Sequence, residues 1–288
     1  MLSLRYEIVD VFTDRPFAGN PLAVVFGADS LAAGQMQHLA NEFNLSETVF
    51  VLPPTTSEAT YRARIFTPSA ELPFAGHPSV GAAVTQLRAG AYGPGRVIQE
   101  CGAGLLPVDV SDDSATLHGG TPTVSDERDP APLLATLGLT SADYAGPEPR
   151  RAGCGLEFSY LSVHPDALER TIGDAAAARA HDVHDVCVFA WDPPTRTSRT
   201  RVFVPGLGVD EDPATGSAAL GFGVWLVASG LLPGDGESAY TVRQGVEMGR
   251  PSTLECTVTA AGGSVVSATV TGSVVAIASG SIAVPPAG

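Results

Sequence analysis

A strand–turn–helix pattern occurs twice in the sequence, and this repeat constrains the fold more than any other feature. RIFTPSAELPFAGHPSVGAAV begins at Arg64, and RVFVPGLGVDEDPATGSAALGFGV begins at Arg201. Both copies read Arg, an aliphatic residue, Phe, any residue, Pro, a turn, Glu-X-Pro-X-X-Gly and a small apolar run, and the second copy has three additional residues in its turn. Because internal self-similarity indicates a repeated architecture, the sequence predicts two similar halves.

One further matching stretch follows each copy. IQECGAGLLPVDV begins at Ile98, and VRQGVEMGRPSTLECTV begins at Val242. Two short units can resemble each other by chance, but three matching pieces in one order favour a true duplication. The sequence therefore predicts two α+β halves related by a pseudo-two-fold. A cleft between them is the expected ligand site, since ligands commonly bind between domains.

Local patterns predict a sheet and one apolar helix in each half. Runs such as RYEIVDVF and PLAVVF are rich in β-branched residues and are typical of strands. The runs SVGAAV and ALGFGVWLV are apolar on nearly every face, which indicates buried helices. Another helix is predicted after Ser30, with Ser30 as its N-cap. We place the halves at residues 1–118 and 119–288, with the charged stretch Ser125–Gly138 as a connector, and allow the C-terminal strand to return to the first half.

The charge of the chain argues against polyanionic partners. The formal net charge is −15 at pH 7, and the arginines are scattered along the sequence. A nucleic-acid backbone or an anionic membrane surface would repel such a protein unless its basic residues were segregated into a patch. We therefore expect neither nucleic acid nor a membrane as a partner.

The absence of lysine excludes two common chemistries. All 16 basic residues are arginine. A lysine Schiff base with pyridoxal phosphate is therefore impossible, and so is the lysine of a phosphate-binding P-loop.

The cysteine pattern predicts reduced thiols. The four cysteines are widely spaced, and no Cys-X-X-Cys motif is present. The first residues do not have the charged and apolar regions of a secretory signal, and no apolar run resembles a membrane span. These features predict a cytoplasmic protein. The cysteines are Cys101, Cys154, Cys187 and Cys256.

The two predicted helix starts are candidate sites for a carboxylate. A helix N-terminus presents unpaired N–H groups and roughly half a positive charge, which suits an anion. Gly76 and Gly216 would let a ligand approach the backbone closely, although each could simply form a turn. His77 and Ser217 occupy equivalent positions, and a helix start favours the neutral form of a histidine ring. Asp212, five residues before Ser217, is a further candidate. Asp212 and Ser217 could instead serve only as caps that satisfy backbone N–H groups at the helix start.

Glu47 is the candidate base. It lies in NLSETVF, between polar residues and a predicted strand. A carboxylate at the start of a strand that faces a dry cleft could take part in proton transfer, whereas an ordinary solvated glutamate is the alternative. Asn20 and Pro21, in FAGNPLAVV, are predicted to form a turn that leads into a strand.

Five stretches together resemble the phenazine-biosynthesis PhzF-like family. They are DVFTDRPFAGNPLAVV, NLSETVFV, RIFTPSAELPFAGHPSVGAA, DEDPATGSAAL and QGVEMGRPS, in the family's order and over most of the chain. The resemblance implies the diaminopimelate-epimerase fold, in which two similar α+β halves each wrap a barrel-like sheet around a central helix. It also implies a homodimer and a site between the halves.

The resemblance also implies roles for particular residues. Glu47 would be the acid/base, and the other residues would line the site or bind the substrate. The implied activity is similar to that of trans-2,3-dihydro-3-hydroxyanthranilate isomerase, which moves a proton within a small carboxylated substrate without cofactor or metal. The other implied catalytic residues, which line the site, are His77, Asp212 and Ser217, and the substrate-binding residues are Ser46, Gly76, Thr215 and Gly216.

Other functions remain open from the sequence. Epimerases of the same fold use two cysteines at the helix starts, but no cysteine lies near Gly76 or Gly216, so a two-thiol racemase is disfavoured. An epimerase that uses Glu47 with a second base is the first alternative, and a non-catalytic protein that binds a small acid is the second. The stretch HDVHD, from His181 to Asp185, is a weaker candidate for a metal site and reads better as a polar loop.

Overall fold

The computed structural model describes residues 2–204 and 210–286, which form two compact units. The first unit contains residues 2–118 and 271–286, and the second contains residues 119–204 and 210–270. The chain therefore passes into the second unit after His118 and returns after Val270. Residues 205–209, in the longer turn of the second repeat, lie outside the described residues.

The helices and strands follow the chain as follows. The elements up to His118 are β1 Ser3–Val11, β2 Asn20–Phe26, α1 Ala33–Phe43, β3 Glu47–Leu52, β4 Tyr61–Phe66, β5 Glu71–Leu72, α2 Gly76–Arg88, β6 Gly95–Cys101, β7 Gly104–Val110 and β8 Ser114–His118. Those that follow are β9 Pro122–Val124, α3 Ala131–Thr136, β10 Arg150–Cys154, β11 Glu157–Ser162, α4 Pro165–Arg170, α5 Ala175–Ala180, β12 Val186–Asp192, β13 Thr197–Phe203, β14 Glu211–Asp212, α6 Gly216–Ala228, β15 Gly236–Gln244, β16 Ser252–Ala261 and β17 Ser264–Ala283.

The strands of the first unit close into a ring around α2. The order β17–β1–β2–β3–β4–β6–β7–β8 returns to β17. The pairs β2–β3 and β4–β6 are parallel. Helix α2 packs against β1, β2, β3, β7 and β8, and its residues from Gly76 to Gln86 are all buried. Helix α1 covers the outside of β3 and β4, where Phe50 and Phe66 meet edge to face.

The second unit repeats this plan around α6. Its strand order is β9–β10–β11–β12–β13–β15–β16–β17, and the pairs β11–β12 and β13–β15 are parallel. Every residue of α6 from Gly216 to Val227 is buried. Helices α3 and α4 belong to a separate apolar layer that includes Leu133, Leu168 and Phe203, and α5 packs against α3. The α+β fold predicted from the sequence, with a barrel-like sheet around a central helix in each half, is confirmed.

The repeated sequence also forms the same ion pair twice. Arg64 of β4 binds Glu71 of β5 through two hydrogen bonds of 2.7 Å, and Arg201 of β13 binds Glu211 of β14 through bonds of 2.8 and 2.7 Å. Each guanidinium also lies over a phenylalanine ring of its own strand. These bidentate pairs fix the short strand that leads into α2 or α6.

Three local predictions were wrong. Helix α1 begins at Ala33 with Ala32 as its N-cap, and not at the predicted cap Ser30, because Gln35 Oε1 accepts a hydrogen bond from the N–H of Ala32 and the residues before it form a turn. The stretch 125–138 is not a connector, since it lies inside the second unit and buries the leucines of α3 in its core. The sequence also predicts separate strands for SVVSATVTG and VVAIAS near the C-terminus, but the two form one long strand, β17. Among the described helices, none is both long and apolar enough to cross a membrane.

Gly221 lies where α6 packs closely against neighbouring strands, so a substitution there tests the tightness of this packing. A Cβ atom at this position would lie 2.5 Å from the Tyr160 hydroxyl oxygen and 2.9 Å from the carbonyl oxygen of Ala152. Because a backbone atom cannot move aside easily, we expect Gly221→Ala to lower the free energy of unfolding by about 1–3 kcal/mol in urea denaturation. Gly34→Ala in α1 is the matched control, since no described heavy atom lies within 4 Å of its added Cβ. That control should raise stability by roughly 0.5–1 kcal/mol, and equal stability of the two variants would contradict the tight packing.

Candidate active site

Two parallel strands and the central helix bring three polar side chains together in the first unit. Asn20 begins β2, Glu47 begins β3, and His77 is the second residue of α2. Strands β2 and β3 are neighbours with Leu22 opposite Glu47, so both strands start at the same end of the ring. Helix α2 also starts there, which places an imidazole between an amide and a carboxylate.

The ring of His77 makes one contact through each nitrogen. Its Nδ1 lies 3.1 Å from Asn20 Nδ2, and its Nε2 lies 3.5 Å from Glu47 Oε2. Asn20 and His77 are 0% and 3% exposed, and the Glu47 side chain is 16% exposed. The three groups thus interact where little water can compete with them.

His77 is neutral in this environment. Burial lowers the pKa of His77 from 6.5 to about 3, against a smaller opposing effect of the hydrogen-bonding backbone group of Pro21. Proline has no N–H, so that group is its carbonyl. The sequence predicted a neutral ring because of the helix start, but burial is the largest cause. A ring with this pKa does not hold a second proton at neutral pH.

A buried chain of hydrogen bonds supports the start of α2 from behind. Ser79 Oγ donates to the carbonyl of Ala75 at 2.9 Å, and Gln99 Nε2 donates to Ser79 Oγ at 2.8 Å. Tyr61 donates its hydroxyl proton to Gln99 Oε1 at 3.0 Å. Within the described residues, the N-cap Ala75 provides no side-chain hydrogen bond to the first turn. The N–H groups of Gly76 and His77 are therefore not used by a capping side chain.

The second unit builds a different set around the start of α6. Thr215 is the N-cap, and its hydroxyl donates to Asp212 Oδ2 at 2.6 Å. Gln244 Nε2 donates to the Asp212 carbonyl at 2.7 Å and to Thr215 Oγ1 at 3.0 Å, and its Oε1 accepts from the N–H of Thr215 at 3.1 Å. Gly216 and Ser217 are buried in the first turn. The amide of Gln244 therefore fixes both Asp212 and the helix start.

The predicted site residues fall into these two sets. The first unit holds Ser46, Glu47, Gly76 and His77, and Ser46 is a half-buried turn residue before β3. The second unit holds the others: Asp212, Thr215, Gly216 and Ser217. Their roles in catalysis and binding stay predictions.

Sequence reasoning missed the polar side chains that support these residues. Asn20 was assigned to a turn, but it is the first residue of β2 and it contacts His77. The signal was an amide at the start of an otherwise apolar strand, where a side chain needs a buried partner. Gln99 and Gln244 gave a similar signal, since each is a fully buried glutamine in a strand.

The remaining candidates do not form a catalytic cluster. His184 Nε2 lies 3.1 Å from Asp182 Oδ1, and both side chains are largely exposed. Among residues 2–204 and 210–286, no group of three or more histidine, cysteine, aspartate or glutamate side chains could hold a metal ion. The four cysteines are free thiols, and burial raises the pKa of each. Such thiols are poor nucleophiles.

Comparison with known proteins gives consistent matches over the whole chain. The family model described as phenazine biosynthesis-like protein, PhzC-PhzF, matches residues 9–280. The trans-2,3-dihydro-3-hydroxyanthranilate isomerase of Pseudomonas aeruginosa is 35% identical over 287 residues, which cover 96% of this chain and 98% of that protein.

Two solved structures have the same fold. A predicted epimerase from Pseudomonas aeruginosa superposes with a TM-score of 0.81 at 31% identity and covers 97% of this chain and 99% of its own. A phenazine biosynthesis protein of Bacillus anthracis superposes with a TM-score of 0.88 at 23% identity and covers 99% of this chain and 100% of its own.

The lowered pKa of His77 makes a testable contribution to acid stability. Between pH 6.5 and about 3 the unfolded chain binds a proton at this ring that the folded chain does not bind. The contribution is complete above pH 6.5 and is lost as the pH falls toward 3, so stability rises with pH in this window. We expect His77→Gln to weaken the acid-induced loss of stability, measured by urea denaturation at a series of pH values. An unchanged pH dependence would show that the buried ring is not kept neutral.

Proposed function

The chain belongs to the phenazine biosynthesis-like protein family, and from this premise we propose that it is a cofactor-independent isomerase that moves a proton between two carbons of a small carboxylated substrate. Its assignment as an isomerase rests on its 35% identity, over nearly the whole length, with trans-2,3-dihydro-3-hydroxyanthranilate isomerase. The observation that carries the mechanism is the buried contact of Glu47 with a neutral imidazole. A carboxylate in that setting is suited to take up and return one proton.

Glu47 performs both proton transfers in the proposed reaction. Its carboxylate removes a proton from a substrate carbon, and the electron pair of that C–H bond moves into the conjugated system. The protonated Glu47 then gives the same proton to another carbon, and the double bonds shift. Because His77 is neutral, no imidazolium is required at any step. Oε2 is the buried oxygen that faces His77.

The helix starts are the proposed partners of the substrate carboxylate. In the described part of the chain, neither N-cap, Ala75 or Thr215, gives a side-chain hydrogen bond to its helix. The first-turn N–H groups are therefore suited to an anion, which the helix dipole also favours. Asp212 would instead accept a hydrogen bond from a hydroxyl or amino group of the substrate, because the carboxylates of Asp212 and of the substrate would repel each other.

The remaining expectations complete the proposal. No metal or organic cofactor is needed for a proton shift between activated carbons, since fixed N–H groups can stabilise the charge that develops. We propose a homodimer in the cytoplasm that binds neither nucleic acid nor membranes. The net charge of −15 and the four free thiols support this location and these exclusions.

An epimerase is the second candidate function. It is favoured by the 31% identity with the solved structure described as a predicted epimerase. Epimerisation inverts one carbon centre, whereas isomerisation relocates a double bond. Product analysis by NMR therefore separates the two, and a ligand that binds without any C–H exchange in D₂O would favour a binding protein instead.

Removal of the carboxylate charge tests the acid/base role of Glu47. We expect Glu47→Gln to lower kcat on trans-2,3-dihydro-3-hydroxyanthranilate by at least about 10²–10⁴-fold, because an amide cannot take the proton. The substrate should still bind, and the fold should be retained. The matched control is Glu58→Gln, which changes an exposed glutamate of the same unit and should keep wild-type turnover. Wild-type kcat in Glu47→Gln would exclude the mechanism.

The fate of the proton gives a second test. A single carboxylate carries only one proton, and a buried one exchanges slowly with solvent. We expect a substrate deuterated at the donor carbon to transfer part of its label to the acceptor carbon in H₂O, as measured by mass spectrometry and NMR. Complete loss of the label to solvent would indicate a relay through another group in place of Glu47 alone.

A further inference from the structure

We propose that Asn20 is a positioning residue that selects the tautomer of His77. Its amide nitrogen donates a hydrogen bond to Nδ1, which leaves the single proton of the neutral ring on Nε2, opposite Glu47. The inference rests on the proposed function, since it explains how His77 serves Glu47. Asn20 touches neither substrate nor reacting atoms in this account and acts only through the histidine.

Electrostatics decides which end of the Asn20 amide faces the ring. If its oxygen accepted a proton from Nδ1, Nε2 would direct a lone pair at the Glu47 carboxylate oxygen 3.5 Å away. The Nε2 lone pair and the carboxylate oxygen would then repel each other, and this repulsion would be strong because both groups are buried. If the nitrogen donates instead, Nε2 presents an N–H to the carboxylate. The arrangement with Nδ2 toward Nδ1, at 3.1 Å, is therefore the favourable one.

The backbone around Asn20 holds this donor in place. Asn20 pairs with Val11 in the β1–β2 ladder, and Pro21 follows with a fixed φ. Gly19 has a φ of +68°, and a Cβ there would lie 2.3 Å from the Val11 carbonyl oxygen, so only glycine fits. The connecting loop is tied back by the N–H of Phe17, which donates to the buried Asp10 carboxylate at 2.7 Å. The amide therefore enters the site from a rigid support.

The tautomer of His77 matters because it determines whether Glu47 is ionised or protonated. With the proton on Nε2, an N–H lies 3.5 Å from Oε2 and stabilises the ionised form of Glu47 electrostatically. The opposite tautomer would favour a protonated Glu47, which cannot remove a proton. Asn20 thus determines whether His77 supports or blocks the acid/base residue.

Nitrogen NMR of the histidine ring tests the proposal directly. In ¹⁵N-labelled wild type, with His77→Gln used for assignment, we expect a protonated Nε2 and an unprotonated Nδ1 at neutral pH. Asn20→Asp replaces the donor by an acceptor and should move the proton to Nδ1. We expect kcat to fall by roughly 10–100-fold, the usual cost of losing a group that orients a functional histidine. The KM should change little, since Asn20 does not hold the substrate.

Matched variants keep the test decisive. Asn41→Asp makes the same change on α1, at an exposed residue of the same unit, and should leave both ring signals and kcat as in wild type. If Asn20→Asp does not fold, Asn20→Ala should give a mixture of the two tautomers. A wild-type proton on Nδ1, or an Nε2 proton that stays unchanged in the folded Asn20 variants, would overturn the proposal.

The ring signals also separate this inference from the proposed function. Loss of the Nε2 proton in Asn20→Asp with an active Glu47→Gln enzyme would keep the positioning role and reject the proposed base. An inactive Glu47→Gln with a tautomer independent of Asn20 would keep the base and reject the positioning role.

Discussion

Two helices buried among strands are the constraint on which the rest of the structure depends. Helices α2 and α6 are buried over nearly their whole length, so their residues must be small or apolar and their polar groups must find partners within the helix or in the surrounding strands. Thr85, for example, donates to the carbonyl of Gly81 within its own helix. Tyr160 and Tyr240 donate to carbonyls of α6 from the surrounding strands. In the described residues, no N-cap side chain binds the first N–H groups of either helix, which is why we propose the helix starts as anion sites.

The same enclosure changes the chemistry of the histidine. A ring at the surface would share its proton with water, but His77 is buried and its pKa is lowered to about 3. Its charge therefore does not change near neutral pH, and the ring stays a neutral polar group beside Glu47. The groups close to its ring are the Asn20 amide, the Glu47 carboxylate and the Pro21 carbonyl. Because burial keeps His77 neutral, Glu47 is the residue of this pair that we propose as the acid/base.

The duplication of the fold does not extend to these side chains. In the sheet registers, Thr48 lies opposite Phe66 in the first unit and Val186 lies opposite Phe203 in the second, which makes Asp185 the equivalent of Glu47. Asp185 is bound to Arg151 at 3.2 Å. By the same registers Leu156 corresponds to Asn20. In the sequence repeat, Ser217 occupies the position equivalent to His77. One copy of the fold therefore contains the amide–imidazole–carboxylate set, and the other contains an aspartate held by Thr215 and Gln244.

The sequence by itself determined the two-fold repetition, the strands, the two apolar helices and the positions of Gly76 and Gly216, because these depend on local periodicity and on motifs that can be read residue by residue. It also indicated Glu47, through the family resemblance. It could not place Asn20 beside His77, since 57 residues separate them and only the parallel pairing of β2 with β3 brings the strand starts to α2. Likewise it missed that the stretch 125–138 belongs to the second core, because its prolines and charges resemble a connector until the buried leucines are seen. The sequence predicted a neutral His77 from the helix start, but only the tertiary structure showed burial as the main cause, because a pKa depends on burial and on neighbours from distant parts of the chain.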